Sequence, residues 1–260
     1  MNYNILPLII ESKKKKIAIL KNNKEGILSL LKKAPKVRSF KDAINQEGKI
    51  SLITELKQAS PSKGVIRKVF SPCELALRME RAGAKALSIL TEEEFFLGKS
   101  HYIEEVRKEV NLPILRKDFI LDESQVMESR ALGADAILLI VRILDEKKFA
   151  HLHECARDLG MDVLVEVHTE KELRKVLKYP VEIVGINNRN LQTLKIDFST
   201  TKKIAPFVPK NIVTVSESGI SSRKEMLVLK GLNINAVLVG EAVMQNDDIE
   251  SKIKELDVDG

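Results

Sequence analysis

The sequence predicts an α/β fold: a closed (β/α)8 barrel of the TIM type with an N-terminal helical extension. Three observations carry that expectation. From about Ile50 onward, short runs rich in Ile, Leu and Val alternate with longer charged amphipathic stretches. The runs begin roughly 20–35 residues apart, the spacing of a strand plus a crossover helix. No GxGxxG or GxxxxGK[ST] occurs, which counts against an open doubly wound sheet with a phosphate loop after its first strand. Length does not choose, because 260 residues fit one large barrel or two small domains.

Taken in order, residues 1–49 stand outside the rhythm. ILPLIIESKKKKIAILK and EGILSLLKKA read as one or two helices, and APKVRSF as a connector. This extension is expected to pack on one end of the barrel as an appendage to a single domain spanning residues 1–260. The strand candidates follow: SLITEL, AKALSIL, LPILRK, ADAILLIV, DVLVEV, VEIVGIN, NIVTVS and NAVLVG. Between them, SPCELALRMERAGA shows a Ser-x-x-Glu helix start and a glycine near its end. DESQVMESRALGAD and DEKKFAHLHECARDLGMD repeat the glycine ending.

Hydrophobic residues make up 44% and charged residues 31%, the balance of a soluble globular chain. Trp is absent and aromatics are 4%, so the core must be aliphatic. Cys73 and Cys155 form no CxxC pair, which argues against a disulfide framework or zinc ribbon and makes a reducing cytoplasm the simplest home. The N-terminus places its apolar residues before its charges, the reverse of a secretory signal, and the apolar run is too short to span a bilayer. Residues 1–50 hold 12 Lys/Arg and 4 Asp/Glu, so the net charge of +6 is an N-terminal property. No nucleic-acid-reading motif accompanies it. The run Lys13–Lys16 reads as a solvated helix face.

Active sites of parallel barrels form at the carboxyl ends of the strands, so the residues ending each run matter most. Side chains alternate along a strand, so Ile53, Glu55 and Lys57 share a face, as do Leu115 with Lys117 and Leu164 with Glu166. The sixth run ends in Asn187, Asn188 and Arg189, the seventh in Ser216, Glu217, Ser218 and Gly219, and the eighth in Gly240. Charges that converge on one rim must pair with each other or with a charged ligand. The glycines after runs seven and eight suit a phosphate held by backbone N–H groups. His151 and His153 are two apart on a helix and face different ways, so a metal site there is not expected. His168, which follows Glu166, reads either as a residue touching the site or, more simply, as a loop histidine. Phe95 and Phe96 read either as pocket walls or as core.

With these residues in hand, the chain resembles the indole-3-glycerol phosphate synthase family. TELKQASPSKG, LTEEEFFLG, LPILRKDFILDESQ, LLIVRIL, LVEVH, GINNRNL and SESGI match that family's motifs in order. The resemblance implies an N-terminal segment over the top of the barrel. It also implies conversion of 1-(2-carboxyphenylamino)-1-deoxyribulose 5-phosphate to indole-3-glycerol phosphate, carbon dioxide and water in tryptophan biosynthesis. No metal or organic cofactor is implied. The partner is a small phosphorylated substrate, with no nucleic acid and no membrane, and a non-covalent complex with other tryptophan-pathway enzymes stays open. By the same resemblance Lys117 is the general acid and Glu166 the base or cation stabiliser. Glu55 and Lys57 serve dehydration, with Lys57 also at the phosphate. Asn187, Arg189 and Ser60 lie near the anthranilate ring and its carboxylate, and Phe96 and Leu138 form apolar walls. Glu217 binds a hydroxyl. Ser218, Gly219, Gly240 and the backbone of Glu241 cradle the phosphate.

There are departures from the pattern. No Trp is available to reach the ligand from the N-terminal segment, where Tyr3 is the candidate substitute. Gln58 stands where a basic residue is common. Glu241 stands where a small neutral residue is found in some members, so its side chain is expected to turn away from the phosphate. A rival barrel of the same pathway, phosphoribosylanthranilate isomerase, needs a Cys/Asp pair at strand ends, whereas Cys73 falls at a helix start.

Overall fold

The computed structural model describes residues 4–259; Tyr3 lies outside them. Eight strands close into one parallel barrel: β1 (Ser51–Leu56), β2 (Ala86–Leu90), β3 (Ile114–Lys117), β4 (Ala136–Ile140), β5 (Asp162–Val167), β6 (Ile183–Asn187), β7 (Val213–Glu217) and β8 (Ala236–Val239). Each falls on one of the eight apolar runs. Closure is visible at Thr54, which sits in register with Val239 on one side and Leu87 on the other. Both faces of the strands are buried, so the runs read as nearly continuous Ile/Leu/Val. Alternation then sorts the side chains. Ile53, Leu115, Leu138, Leu164, Val215 and Leu238 fill the barrel interior. Leu52, Ile114, Ile137, Leu139, Val165 and Val237 face outward against the surrounding helices.

A helix follows every strand. The first four are α4 (Pro72–Arg81), α5 (Tyr102–Glu109), α6 (Glu123–Ala131) and α7 (Glu146–Asp158). Then come α8 (Glu170–Val176), α9 (Ser199–Ile204), α10 (Arg223–Lys230), α11 (Glu241–Met244) and α12 (Ile249–Leu256). The predicted glycine endings appear as Gly83, Gly133 and Gly160, all at positive φ, where an L side chain is strained. Ser71 does stand at the N-cap of α4, but its side chain makes no capping bond; the capping box forms at Ser222 and Glu225 instead.

The extension forms three helices, α1 (Leu6–Asn22), α2 (Lys24–Leu31) and α3 (Phe40–Ile44), and reaches both ends of the barrel, not one. At the carboxyl end, Leu6 and Ile9 of α1 join the interior cluster beside Phe119. The chain then descends past α6, where Arg130 donates to the Pro35 carbonyl at 2.5 Å. At the amino end, α3 buries Phe40 and Ile44 completely against the first residues of the strands. Its Lys41 N–H donates to Asp162, the first residue of β5, at 2.9 Å. APKVRSF is thus a connector only as far as Arg38. An interior of aliphatic and alanine side chains leaves the lower mouth open, and one phenylalanine closes it.

The descent is anchored at Asp135, just before β4. Its buried carboxylate accepts from the Arg38 N–H at 2.7 Å, the Arg107 guanidinium at 2.7 Å and the Ile114 N–H at 2.8 Å. Asp135→Ala leaves a buried guanidinium without its counter-charge and should cost about 3 kcal/mol. The measurement is a urea melt, with a lowered midpoint at an unchanged slope.

Candidate active site

The carboxyl ends of the strands surround a cavity of about 320 Å³, within the usual range for small-molecule sites. Its walls include Glu55, Lys57, Phe96, Lys117, Leu138, Glu166, Asn187, Arg189, Glu217, Ser218, Gly219, Gly240 and Glu241. Among the described residues given a site role by the family resemblance, Ser60 lies outside it. Ser60 lines a smaller apolar recess of about 70 Å³ roofed by Ile5, Leu6 and Ile9. Lys57, Phe96 and Arg189 line both spaces.

Charge organises the cavity. The Lys117 ammonium lies 3.4 Å from Glu166 and 3.4 Å from Glu217, and Lys57 lies 2.7 Å from Glu55. Burial pulls the Lys117 ammonium down, but Glu217, Glu166 and Glu55 outweigh it and hold the ammonium above its ordinary value. Burial pushes Glu55 up, yet Lys57, Lys117 and Arg189 bring it below the usual carboxylate range. For Glu217 burial wins. Lys117 offsets it in part, Glu166 and Glu55 add to it, and the carboxyl is pushed up to about 8. The site therefore holds an ammonium, ionised carboxylate and a carboxyl that keeps its proton at neutral pH.

Two glycines make room for these carboxylates. A Cβ on Gly240 would lie 2.3 Å from a Glu55 carboxylate oxygen, and one on Gly185, inside β6, would lie 2.2 Å from a Glu217 oxygen. Gly240 thus serves Glu55 as well as the turn after β8. Gly185 is a site residue that the sequence reading does not single out, although a glycine inside a strand run signals a close approach. After β7 the chain turns through Ser218 and Gly219 at φ 65 and 78, and the Asn188 amide donates to the Ser218 carbonyl at 2.9 Å. Successive N–H groups in such a turn point to one side. The N-terminus of α10 is closed by its own capping box, while that of α11 opens on the cavity at Gly240.

Two expectations change. Lys13 is not solvated: it is buried and pairs with Asp118 at 2.5 Å. Asp118 also takes the Thr91 hydroxyl at 2.7 Å and Arg116 at 3.1 Å. Despite burial, Lys13 and Arg116 hold this carboxyl well below the carboxylate range. His168 does lie in the loop after β5, and it also touches the site: its ring is buried 3.3 Å from Glu166. The Glu241 side chain does not turn away: it takes Arg189 at 3.0 Å and Lys63 at 3.6 Å across the cavity mouth.

The model of the family described as "Indole-3-glycerol phosphate synthase" matches residues 6–256. The chain belongs to the indole-3-glycerol phosphate synthase family. A relative of that name from Alkaliphilus metalliredigens is 43% identical over 257 residues, 97% of each chain. Another, from Caldanaerobacter subterraneus, is 48% identical over 216 residues, 83% of each chain. Among solved structures, a 3-hexulose-6-phosphate synthase aligns with a TM-score of 0.64 at 14% identity, covering 80% of this chain and 98% of that one. At that identity the likeness concerns the barrel alone. Among the described residues, no helix of this family member is long and apolar enough to cross a membrane.

Glu217 gives a pH signature. A carboxyl whose folded value exceeds its unfolded value binds more protons folded than unfolded in the interval between them, so stability falls as pH rises through it. Here that interval runs from 4.5 to about 8. Wild type should lose about 1–3 kcal/mol relative to Glu217→Gln between about pH 5 and pH 8, read by urea unfolding at the two pH values. A constant difference between the two proteins would contradict the assignment.

Proposed function

We propose that this protein is an indole-3-glycerol phosphate synthase. It closes the pyrrole ring of 1-(2-carboxyphenylamino)-1-deoxyribulose 5-phosphate, with loss of carbon dioxide and water. The observation that carries the reading is the Lys117 ammonium, held between Glu166 and Glu217 on the floor of the cavity that also receives Glu55, Lys57 and Arg189.

Lys117 donates a proton to the substrate's carbonyl oxygen as the ring carbon attacks the carbonyl carbon. Its carboxylate neighbours keep it protonated at neutral pH, so it enters the step as an acid. Attack leaves positive charge on the ring system, which Glu166 stabilises across a site poor in water. Loss of the carboxylate as carbon dioxide returns its bonding pair to the ring. Glu166 then takes a proton from the carbon beside the nitrogen in the new five-membered ring, its bonding pair forms the ring double bond, and the hydroxyl departs as water with a proton from the Glu55–Lys57 pair. Glu217, which retains its proton, donates to or accepts from a hydroxyl of the sugar chain. Asn187 and Arg189 meet the substrate carboxylate, with Ser60 at the edge of the recess. Phe96 and Leu138 flank the aromatic ring.

The phosphate sits on the N–H groups of Ser218–Gly219 and Gly240–Glu241, with Lys57 as counter-charge. Two adjoining spaces suit two unlike ends of one substrate. The partner is this small phosphorylated molecule, and the setting is the cytoplasm, where tryptophan-pathway neighbours are candidate companions.

Lys117→Ala should lower kcat/KM by about a thousandfold while leaving the circular dichroism spectrum unchanged, since removal of a positioned acid costs about 10²–10⁴-fold. The assay follows indole fluorescence from the carboxyphenylamino substrate; a variant that keeps most of its rate refutes the reading. Deleting residues 1–22 removes the roof of the recess but keeps the α3 plug. KM should rise several-fold, with a smaller effect on kcat, and an unchanged KM in a folded truncation would contradict the substrate's use of that recess.

A further inference from the structure

A buried histidine stands behind Glu166, and no step above uses it. Glu166 presents one carboxylate oxygen, Oε2, to Lys117. Its other oxygen, Oε1, faces Nε2 of His168 at 3.3 Å. The His168 side chain is 4% exposed and that of Glu166 1%. On the far side of the ring, Nδ1 lies 3.7 Å from Glu172 Oε2. That same oxygen accepts the His168 backbone N–H at 2.6 Å, and the other Glu172 oxygen takes Arg142 at 3.0 Å. Both ring nitrogens and Glu166 Oε1 are buried without an aligned hydrogen bond among the described residues. The line Glu166–His168–Glu172–Arg142 thus runs from the cavity to the half-buried edge of α8.

We propose that His168 is a positioning residue for Glu166, oriented by Glu172 so that Nε2 holds the carboxylate oxygen turned away from the cavity while the other oxygen takes its proton from the substrate. The inference rests on the reading of Glu166 given above. Burial opposes the charge on Glu172, but its bonds from His168 and from Arg142 bring it down to about 2, so it is a fixed acceptor. Nδ1 faces this acceptor and Nε2 faces the Glu166 carboxylate more closely, so the ring stands between two carboxylates and its Nε2 hydrogen is the one directed at Glu166.

With Oε1 held by the Nε2 hydrogen, the carboxylate plane is fixed and Oε2 stays turned to the cavity. In the dehydration step a proton leaves the carbon beside the nitrogen in the new five-membered ring, its bonding pair forms the ring double bond as the hydroxyl departs, and the proton arrives on Oε2. A third group orienting the second follows the logic of hydrolase triads, here with the histidine placed behind a carboxyl. Oε1 faces away from the substrate, so the contact acts on turnover and not on substrate affinity.

The test compares wild type, His168→Leu, His168→Gln and Glu172→Gln by steady-state kinetics with the carboxyphenylamino substrate. His168→Leu should lower kcat about tenfold with KM within twofold. His168→Gln, whose amide N–H can donate in place of Nε2, should recover most of the loss. Glu172→Gln should lower kcat severalfold with KM unchanged, and it decides the matter if His168→Leu fails to fold. The inference is overturned if His168→Leu turns over at the wild-type rate, or if KM rises in step with the fall in kcat, as general loosening would produce. Wild type leaving the substrate untouched overturns the functional reading and this inference with it; active wild type matched by His168→Leu overturns this inference alone.

Discussion

The ammonium of Lys117, lodged between Glu166 and Glu217, is the interaction on which the rest of the molecule turns. A lone charge at that depth would cost several kcal/mol, and a pair of bare carboxylates would cost more. The three groups are tolerable only together, and only at fixed separations. Those separations are set by strands that are rigid because both faces are buried. β3 delivers Lys117, β5 Glu166 and β7 Glu217, so the odd strands converge on one point above the interior apolar layers. Glycine supplies the remaining space: Gly185 lies against Glu217, and Gly240 against Glu55. A side chain at either glycine would push a carboxylate out of the arrangement before it touched any ligand.

The N-terminal extension belongs to the same problem. A barrel this aliphatic has two open mouths and few large side chains to fill them. The extension closes the lower mouth with Phe40 and roofs part of the upper one with Leu6 and Ile9. Lys13 fastens the roof through Asp118, the residue after Lys117. The buried pair is not an efficient source of stability, since two desolvated charges repay little beyond their own cost. It does fix a register. One face of α1 must meet the end of β3, which sets the recess beside Ser60 and Phe96 at a defined distance from Lys117.

These relations mark how far the chain is legible from its residues alone. All eight strands were legible because a barrel strand buries both faces, and eight Ile/Leu/Val runs at even spacing fit few folds besides a closed barrel. The inward set was legible because alternation is strict: Ile53 pointing in forces Glu55 in. Reading failed wherever partnership crosses the chain at long range. Lys13 sits in a run of four lysines, and nothing local separates the buried one from its solvated neighbours. Phe40 looks like the end of a linker until the lower mouth is known to need a plug. His168 closely follows Glu166 in the chain, but its anchor in Glu172 and Arg142 is visible only in the fold. Gly185 carries a signal in its own strand, yet it has no side chain to mark it among polar residues that promise more.

The Glu241 side chain shows how a ligand would change this balance. At the cavity mouth it joins Arg189 and Lys63, groups from the loops after β6 and β1, to the start of α11. Within the protein itself the cationic groups are thus already answered: Lys57 by Glu55, Lys117 by two carboxyls, Arg189 by Glu241. Among the described residues, an incoming dianion finds no free cation deep in the cavity. What it finds is the backbone N–H groups at Ser218–Gly219 and Gly240, and an arginine whose partner is half-exposed and easily rehydrated. On the proposed reading, exchange of Glu241 for a substrate carboxylate on Arg189 costs little, because one hydrated anion replaces another. Exchange at Lys117 would cost far more, because Glu166 and Glu217 have no water to return to. Selectivity between the two cations is therefore built from burial, and the cation left undisturbed is the one that the proposed reading makes the proton donor.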